Sequence, residues 1–160
     1  MKILVFSDSH AKASYINEAL KMHKNNTDVV IFLGDGIKDI EYIKSAYPNI
    51  AFYIVRGNCD LSANEYESER VISLDGIKIF ITHGHLYNAK FTCSRLLLRA
   101  RELECQAVFF GHTHEPVDEI LEVCDKRIHL FNPGSIGYLG TYGVINTSNG
   151  VLVTNITKIY

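Results

Sequence analysis

Long apolar runs, paired cysteines and an excess of basic charge are all missing from this chain of 160 residues. Its apolar runs, such as residues 29–33, are far shorter than the about 20 residues that a membrane-spanning helix requires. The first run, residues 3–6, is too short for a signal peptide, whose apolar region has about 7 to 15 residues. We therefore expect no membrane association and a cytoplasmic location.

The charge and the cysteines exclude further classes of protein. Lys and Arg number 16 against 18 Asp and Glu, so the formal net charge is −2 and general nucleic-acid binding is not expected. The four cysteines are irregularly spaced without a CxxC pair, which argues against a disulfide framework and a thiolate zinc site. Hydrophobic residues make up 47% of the chain, as in ordinary globular domains. A single domain over residues 1–160 is the simplest organisation.

The first part of the sequence alternates between strand and helix patterns. Short apolar runs predict buried strands at residues 3–6, 29–33 and 50–55, and helical spacing predicts helices at residues 13–24 and 37–46. Strands joined by helices pair in parallel through right-handed crossovers, which places their carboxyl ends at one edge of a sheet. These patterns predict an α/β fold.

The second part is richer in strand patterns. Residues 71–74 and 77–82 flank an Asp-Gly turn and predict a hairpin, which is followed by a helix at residues 89–104 and a strand at residues 107–110. From Asp118 onward we predict antiparallel sheet without a further helix, with turns at residues 125–126, 133–134 and 149–150.

Polar side chains follow five of the predicted strands, at the point where each strand ends. The clusters are Asp8-Ser9-His10, Gly34-Asp35-Gly36, Gly57-Asn58-Cys59-Asp60, His83-Gly84-His85 and His112-Thr113-His114. If strand geometry continues through a cluster, residues two apart point to the same side and converge. Each cluster by itself is more often a turn, a helix cap or a structural histidine. Together they favour a metal centre, because uncompensated charges at buried strand ends would be costly.

The donor atoms restrict the choice of metal. Oxygen and nitrogen ligands without an obvious thiolate suit manganese, iron, zinc or nickel. The candidate ligands outnumber those of one tetrahedral ion, so we favour two divalent ions about 3.5 to 4 Å apart that share Asp35.

The order of these clusters resembles that of the calcineurin-like metallophosphoesterases over nearly the whole chain. The resemblance is carried by Asp8-x-His10, Gly34-Asp35, Gly57-Asn58, His83-Gly84 and Gly111-His112-x-His114. A further block, Asn132-Pro133-Gly134-Ser135, is similar to the form found in the small bacterial and archaeal YfcE-type phosphodiesterases. The resemblance implies a β-sandwich of two mixed sheets flanked by helices.

The resemblance also implies a ligand set and a reaction. One metal ion would be bound by Asp8, His10, Asp35 and His114, and the other by Asp35, Asn58, His83 and His112. The implied reaction is hydrolysis of a small phosphodiester, in which a hydroxide that bridges the two ions attacks phosphorus. Manganese is the preferred metal, with nickel, iron and zinc as alternatives.

One position departs from the pattern that the resemblance implies. Many relatives carry His directly after the motif Asn, where it assists the departing oxygen, whereas this chain has Cys59 followed by Asp60. We take Asn58, Cys59, Asp60 and His85 as catalytic candidates. Asn58 can hold a substrate oxygen, Cys59 and His85 can donate a proton, and Asp60 can also cap the next segment.

Other functions stay open at this point. The family includes a retromer subunit that works through its surfaces, so a protein-interaction scaffold is one alternative, although intact Asp8, His10, His112 and His114 argue against it. A phosphomonoesterase or nuclease with the same metals is a second. A nucleotide-binding α/β domain is weaker, because no GxGxxG motif follows the first strand. A homo-oligomer is compatible with all of them.

Overall fold

Two five-stranded mixed sheets face each other in the computed structural model, which describes residues 1–23 and 26–160. The strands are β1 Lys2–Phe6, β2 Val29–Phe32, β3 Ala51–Ile54, β4 Glu69–Leu74, β5 Ile77–Thr82, β6 Ala107–Phe109, β7 Pro116–Val123, β8 Lys126–Pro133, β9 Thr141–Ser148 and β10 Val151–Lys158. The helices are α1 Ala13–Met22, α2 Ile37–Ala46, α3 Ser94–Glu102 and α4 Ile136–Leu139, with one 3₁₀ turn at His85–Tyr87. The first sheet has the order β10-β9-β1-β2-β3, and the second has the order β4-β5-β6-β8-β7.

The core lies between the sheets and on their outer faces. Alternate residues such as Ile3 and Ile31 of the first sheet and Ile79 and Phe109 of the second meet in the central layer. The other face of the first sheet buries its side chains against α1, α2 and α4, and the other face of the second sheet packs on α3. The expected β-sandwich of two mixed sheets flanked by helices is therefore confirmed. Within the described ranges, no helix is long and apolar enough to cross a membrane.

The helix predictions succeed for the first two helices and fail in part for the third. Helix α2 has the predicted bounds, and α1 covers the predicted segment up to Met22, while Lys24 lies outside the described residues. The predicted helix at residues 89–104 is wrong before Ser94. Asn88 adopts a positive φ of 58°, and the Thr92 hydroxyl accepts the Ser94 N–H at 3.2 Å, so local side-chain bonding replaces helical hydrogen bonding there.

The prediction of a helix-free antiparallel tail is also wrong in two respects. Strands β7 and β8 join the second sheet, where β8 runs parallel to β6, whereas β9 and β10 join the first sheet. Helix α4 forms between them because the Ser135 hydroxyl caps it by accepting the Tyr138 N–H at 3.0 Å. The predicted turn at residues 125–126 lies one residue earlier, since Cys124 and Asp125 both have positive φ.

Parallel pairing brings the strand ends to a common rim. Phe6 of β1 is in register with Phe32 of β2, which in turn is in register with Ile54 of β3. In the second sheet, β6 is likewise parallel to both β5 and β8. The loops that leave these strands must therefore emerge side by side, and all five polar clusters lie in or beside those loops.

Gly34 allows two of these loops to approach closely, and its replacement gives a test. It has a φ of +96°, and a Cβ there would lie 2.5 Å from the backbone nitrogen of Gly57. Gly76 in the β4–β5 turn has a φ of +79° with nothing within 4 Å of such a Cβ. We expect Gly76→Ala to lower the unfolding free energy by about 1 kcal/mol through backbone strain alone, and Gly34→Ala by about 3 kcal/mol or more. Urea denaturation measures both, and equal losses would contradict the close approach.

Candidate metal centre

Left-handed backbone conformations bring the polar side chains of the rim together. Asp8, His10, Asp35, His112 and His114 all have positive φ, between 42° and 68°. Asp and His tolerate this region better than most residues do, but it is incompatible with an extended strand. The expectation that the side chains converge by strand alternation is therefore wrong. They converge because each loop turns sharply as it leaves its strand.

Asp8 is fully buried, and its two carboxylate oxygens have different partners. One oxygen, Oδ2, accepts the Ser7 hydroxyl at 2.5 Å and the backbone N–H of His112 at 3.0 Å. The other oxygen, Oδ1, faces three imidazoles: it lies 3.1 Å from His114 Nε2, 3.7 Å from His10 Nε2 and 3.9 Å from His83 Nε2. The first oxygen fixes the carboxylate, and the second is presented to the histidines.

Asp35 repeats this arrangement at the end of the neighbouring strand. Its Oδ1 accepts the backbone N–H of Cys59 at 2.8 Å, which ties the loop after β2 to the loop after β3. Its Oδ2 lies 3.4 Å from His83 Nε2 and 3.9 Å from His10 Nε2. Two buried carboxylates thus direct one oxygen each toward the same pair of imidazoles.

His83 is oriented by the backbone. Its Nδ1 lies 2.6 Å from the carbonyl oxygen of Leu33, and because a carbonyl only accepts, Nδ1 carries the donated proton. Its Nε2 is buried, and neither it nor the Nε2 of His10 has a hydrogen-bond partner among the described residues. Buried polar nitrogens are rarely left unpaired, and a histidine fixed through its other nitrogen is the usual form of a metal ligand. The site therefore fits a metal ion.

The charges of the cluster reinforce this interpretation. Burial opposes the charge of Asp35, but the adjacent His83 imidazole and the N–H of Cys59 hold the pKa of Asp35 well below its usual range. Burial lowers the pKa of His83, but the nearby carboxylates of Asp35 and Asp8 raise it overall. A proton and a metal ion would therefore compete for the same Nε2 lone pair of His83.

Among the residues that the structure describes, three groups of potential ligands each have donor atoms within 4.8 Å of one another. They are Asp8 with His10 and His114, Asp8 with Asp35 and His83, and His10 with Asp35 and Cys59. Two groups overlap at Asp8 and two at Asp35, so the cluster offers more than one position for a cation. From the sequence, only Asp35 is predicted to be shared between two metal ions.

The remaining predicted ligands lie at the margin of this cluster. The ring of His112 is 5.0 Å from that of His83, centroid to centroid, and burial together with the charges of His83 and Lys90 lowers the pKa of His112 to about 4. Asn58 is exposed, and its side-chain amide donates to Cys59 Sγ at 3.4 Å. The metal-binding roles of both residues stay predictions.

Two of the predicted catalytic side chains lie beside the cluster. The ring of His85 is 5.4 Å from that of His83 and 6.1 Å from that of His112, and burial, followed by the charge of His83, lowers the pKa of His85. Cys59 is largely exposed next to Asp35, and partial desolvation of its thiol together with the hydrogen bond to Asp35 raises the pKa of the thiol to about 11. Both side chains are placed near the carboxylates, and their roles as acids stay predictions.

Asp60 has a different environment from the other catalytic candidates. Its Oδ2 accepts the backbone N–H groups of Asp35 at 2.7 Å and Gly57 at 2.8 Å. Its Oδ1 accepts those of Gly36 at 2.9 Å and Ile37 at 3.0 Å, at the beginning of α2. Because four amide groups occupy both oxygens, the geometry favours the capping role and makes Asp60 a positioning residue for Asp35.

Two supporting features of the rim were not assigned a role from the sequence. The side chain of Asn132 donates to the Gly111 carbonyl oxygen and accepts the Gly134 N–H, which fixes the loop of His112. The ring of Tyr138 lies 5.1 Å from that of His114 and 5.2 Å from that of His10. Asn132 lay within the motif that carried the family resemblance, whereas no pattern in the sequence pointed to Tyr138.

A cleft of about 570 Å³ opens beside the cluster. Its walls include His10, Asp35 and Cys59 from the rim, Leu61 and Glu65 from the following loop, and Lys38 from α2. A small organic molecule fits a cleft of this size with one end against the carboxylates and imidazoles.

The two-sheet sandwich and its rim of carboxylates and imidazoles are the features of a metal-binding α/β protein. The family model described as the calcineurin-like phosphoesterase superfamily domain matches residues 1–150, and the chain belongs to this superfamily. The predicted resemblance is thereby confirmed. The family uses divalent metals, and the rim contains candidate ligands for them.

Curated relatives have the same assignment over most of their length. The chain is 33% identical to the "Probable metallophosphoesterase YsnB" of Bacillus subtilis over 137 residues, which covers 85% of this chain and 75% of the relative. It is 30% identical to "Phosphodiesterase MJ0936" of Methanocaldococcus jannaschii over 167 residues, with 92% and 93% coverage. These similarities support a phosphoesterase hydrolase.

Solved structures extend the comparison of the fold. A Streptococcus pneumoniae protein described as a predicted phosphoesterase superimposes with a TM-score of 0.78 at 26% identity, covering 99% of this chain and 89% of its own. Vps29 from Entamoeba histolytica superimposes with a TM-score of 0.73 at 20% identity, with 98% coverage of both chains. At that identity, the similarity to Vps29 concerns the fold alone.

The four hydrogen bonds to Asp60 give a test of how the Asp35 loop is held. In Asp60→Asn an amide nitrogen replaces one acceptor oxygen, so two backbone N–H groups lose their partner. We expect the unfolding free energy to fall by about 2 to 3 kcal/mol and the Mn²⁺ affinity to fall about tenfold or more. Urea denaturation and calorimetric titration with Mn²⁺ measure the two effects.

Asp75→Asn provides the matched control, since Asp75 lies in the exposed β4–β5 turn with a φ of 50° that Asn also adopts readily. Its unfolding free energy should stay within about 0.5 kcal/mol of the parent protein. Parent-like stability and metal affinity of Asp60→Asn would show that Asp60 does not hold the loop.

Proposed function

We propose that this protein is a metal-dependent phosphodiesterase that hydrolyses small phosphodiesters at a centre for two divalent ions. The observation that carries the proposal is the buried, unpartnered Nε2 of His83, which faces oxygens of both Asp8 and Asp35. A histidine that is merely structural would have paired this nitrogen. The relative named a phosphodiesterase, similar over nearly the full length of both chains, supports the choice of a diester.

The ligands divide between two adjacent positions. His10 and His114 share one position with Asp8, and His83 shares the other with Asp35. We propose that Asn58 and His112 complete the second position, and the His112 ring lies 5.0 Å from that of His83. Asp8 also reaches His83, so either carboxylate can serve as the shared one. Manganese is the metal we expect first, followed by nickel, iron and zinc, because all accept mixed oxygen and nitrogen ligands.

The side chains of this chain prepare the site for hydrolysis. When bound, divalent ions provide hydroxide from water near neutral pH and positive charge for the phosphoryl oxygens. One oxygen of Asp8 accepts the backbone N–H of His112, and one oxygen of Asp35 accepts that of Cys59. These bonds hold each carboxylate so that its other oxygen faces the centre. The Leu33 carbonyl keeps His83 in the tautomer whose Nε2 is free to bind.

The walls of the cleft favour a substrate of low charge. Asp39, Glu41 and Glu65 line it together with Lys38, so acidic side chains outnumber basic ones there. A phosphodiester carries one negative charge, whereas monoesters and oligonucleotides carry more and would be repelled more strongly. We therefore favour small diesters over the phosphomonoesterase and nuclease alternatives. A scaffold role has no specific observation in its favour, because the similarity to Vps29 concerns the fold.

The remaining expectations form part of the same proposal. We propose one domain over residues 1–160 and a cytoplasmic location, which the four free cysteines support because thiols persist in reducing compartments. No general nucleic-acid binding and no membrane partner are proposed, and a homo-oligomer remains compatible with the site.

The proposed function predicts metal-dependent hydrolysis of bis-p-nitrophenyl phosphate. Chelated protein should be inactive, and added Mn²⁺ or Ni²⁺ should restore turnover. Asp35→Asn should reduce kcat/KM by about 100-fold or more, because it weakens a carboxylate that lies within reach of both positions. Asp125→Asn in the exposed β7–β8 turn is the matched control and should retain parent activity. Full activity of the chelated protein, or of Asp35→Asn, would overturn the proposal.

The presence of Cys59 where many relatives have His predicts a steep dependence on the leaving group. The raised pKa of Cys59, about 11, makes it a poor proton donor to a departing alkoxide near neutral pH. Aryl diesters should therefore react readily and alkyl diesters slowly. In a series of aryl and alkyl leaving groups, Cys59→His should flatten the dependence of log kcat on leaving-group pKa, and Cys59→Ala should leave it steep. An equally shallow slope in all three proteins would contradict this account.

A further inference from the structure

Tyr138 occupies an unusual place for an exposed aromatic residue. Its ring is stacked on that of His114 with an interplanar angle of 29°, and it is tilted by 52° against that of His10. Even so, 66% of the residue's surface is open to solvent. Among the described residues, no side chain or backbone group hydrogen-bonds to its hydroxyl. A tyrosine in contact with two proposed ligands therefore leaves most of its surface uncovered.

The backbone beneath Tyr138 is fixed to the loop that carries Asp8. The Ser135 hydroxyl donates to the Asp8 carbonyl oxygen at 2.8 Å, and the N–H of Gly137 donates to the same oxygen at 3.1 Å. Gly137 has no room for a side chain, since a Cβ there would lie 2.4 Å from the Ser9 carbonyl oxygen. Helix α4 is thus seated directly on the metal-binding loop, and the position of Tyr138 relative to the rim is constrained.

The ring lies on the far side of His10 from the cleft lining, next to the cleft rather than in its wall. His10 contacts Tyr138 and lines the cleft, so an ester group that extends past His10 from phosphorus at the carboxylates would reach this ring. An exposed aromatic surface in water gains free energy when another ring packs on it. Packing of this kind requires no hydrogen bond from the hydroxyl, which stays accessible to water.

We propose that Tyr138 is a specificity-determining residue whose ring packs against an aromatic ester group of the substrate. This inference rests on the proposed phosphodiesterase function and narrows it to diesters with at least one aromatic or heteroaromatic alcohol. The ester group that packs on Tyr138 is the one that remains on phosphorus after the bond between phosphorus and the leaving group is broken. The chemical step itself does not involve Tyr138.

Two substrates with the same leaving group separate ring packing from chemistry. Phenyl p-nitrophenyl phosphate and methyl p-nitrophenyl phosphate both release p-nitrophenolate and differ in the retained group. We expect the parent protein with Mn²⁺ to prefer the phenyl compound in kcat/KM, by about 5- to 20-fold beyond the ratio of the spontaneous rates. Tyr138→Leu should remove most of this preference, mainly through KM. Tyr138→Phe should keep it, because the ring remains.

The same variants provide the outcomes that would overturn the inference. Equal losses on both substrates in Tyr138→Leu would mean that Tyr138 only supports His10 and His114. Loss of the preference in Tyr138→Phe would assign the effect to the hydroxyl. Tyr42→Leu, at another highly exposed tyrosine, should leave the preference unchanged, and thermal unfolding should show that all variants are folded.

A binding measurement distinguishes failure of this inference from failure of the proposed function. If the parent protein hydrolyses neither compound, the proposed function fails. Calorimetric titration of Mn²⁺-loaded protein with phenylphosphonate and methylphosphonate then tests Tyr138 alone. Tighter binding of phenylphosphonate that is lost in Tyr138→Leu and kept in Tyr138→Phe supports the aromatic contact. Equal binding of the two phosphonates by the parent protein contradicts it.

Discussion

The rim of this protein depends on two buried carboxylates that are held from one side and presented on the other. Asp8 and Asp35 each accept a backbone N–H with one oxygen and direct the second oxygen to imidazole nitrogens. The backbone donors have fixed positions because they belong to loops that leave paired strands. The cost of burying two anions so close together is offset only where positive charge lies between them. The fold therefore determines the chemistry of the rim, because the loops set the direction in which each carboxylate oxygen points.

Glycine is required where these loops touch. The backbone of Gly57 lies so close to Gly34 that no side chain fits at Gly34, and a Cβ on Gly57 would meet Asp35 Oδ1 at 2.1 Å. The four amide groups bound by Asp60 hold the same two loops from the other side. A small set of backbone contacts thus determines where Asp35 points.

The sequence allowed the rim to be predicted better than the path of the chain that builds it. Apolar runs placed β1, β2 and β6 because buried parallel strands are short and continuous, and the polar residues after them had to share an edge. The neighbours of β7 to β10 could not be predicted, because alternation of polar and apolar residues indicates a strand but not the strand with which it pairs. The left-handed turns at Asp8 and His112 were missed for a related reason. Loop backbone depends on tertiary contacts such as the N–H of His112 on Asp8 Oδ2.

The pairing of β1 has a consequence for synthesis of the chain on the ribosome. This strand lies between β2, which follows soon after it, and β9, which begins only at Thr141. Until residues 136–148 emerge, one edge of β1 lacks its neighbour and the Asp8 loop lacks helix α4. The candidate metal ligands after β1, β2 and β5 have then been synthesised, but their loops are not yet fixed by β9 and α4. The rim is therefore completed only after β9 has been synthesised, and a protein truncated shortly before β9 would contain every candidate ligand without the finished rim.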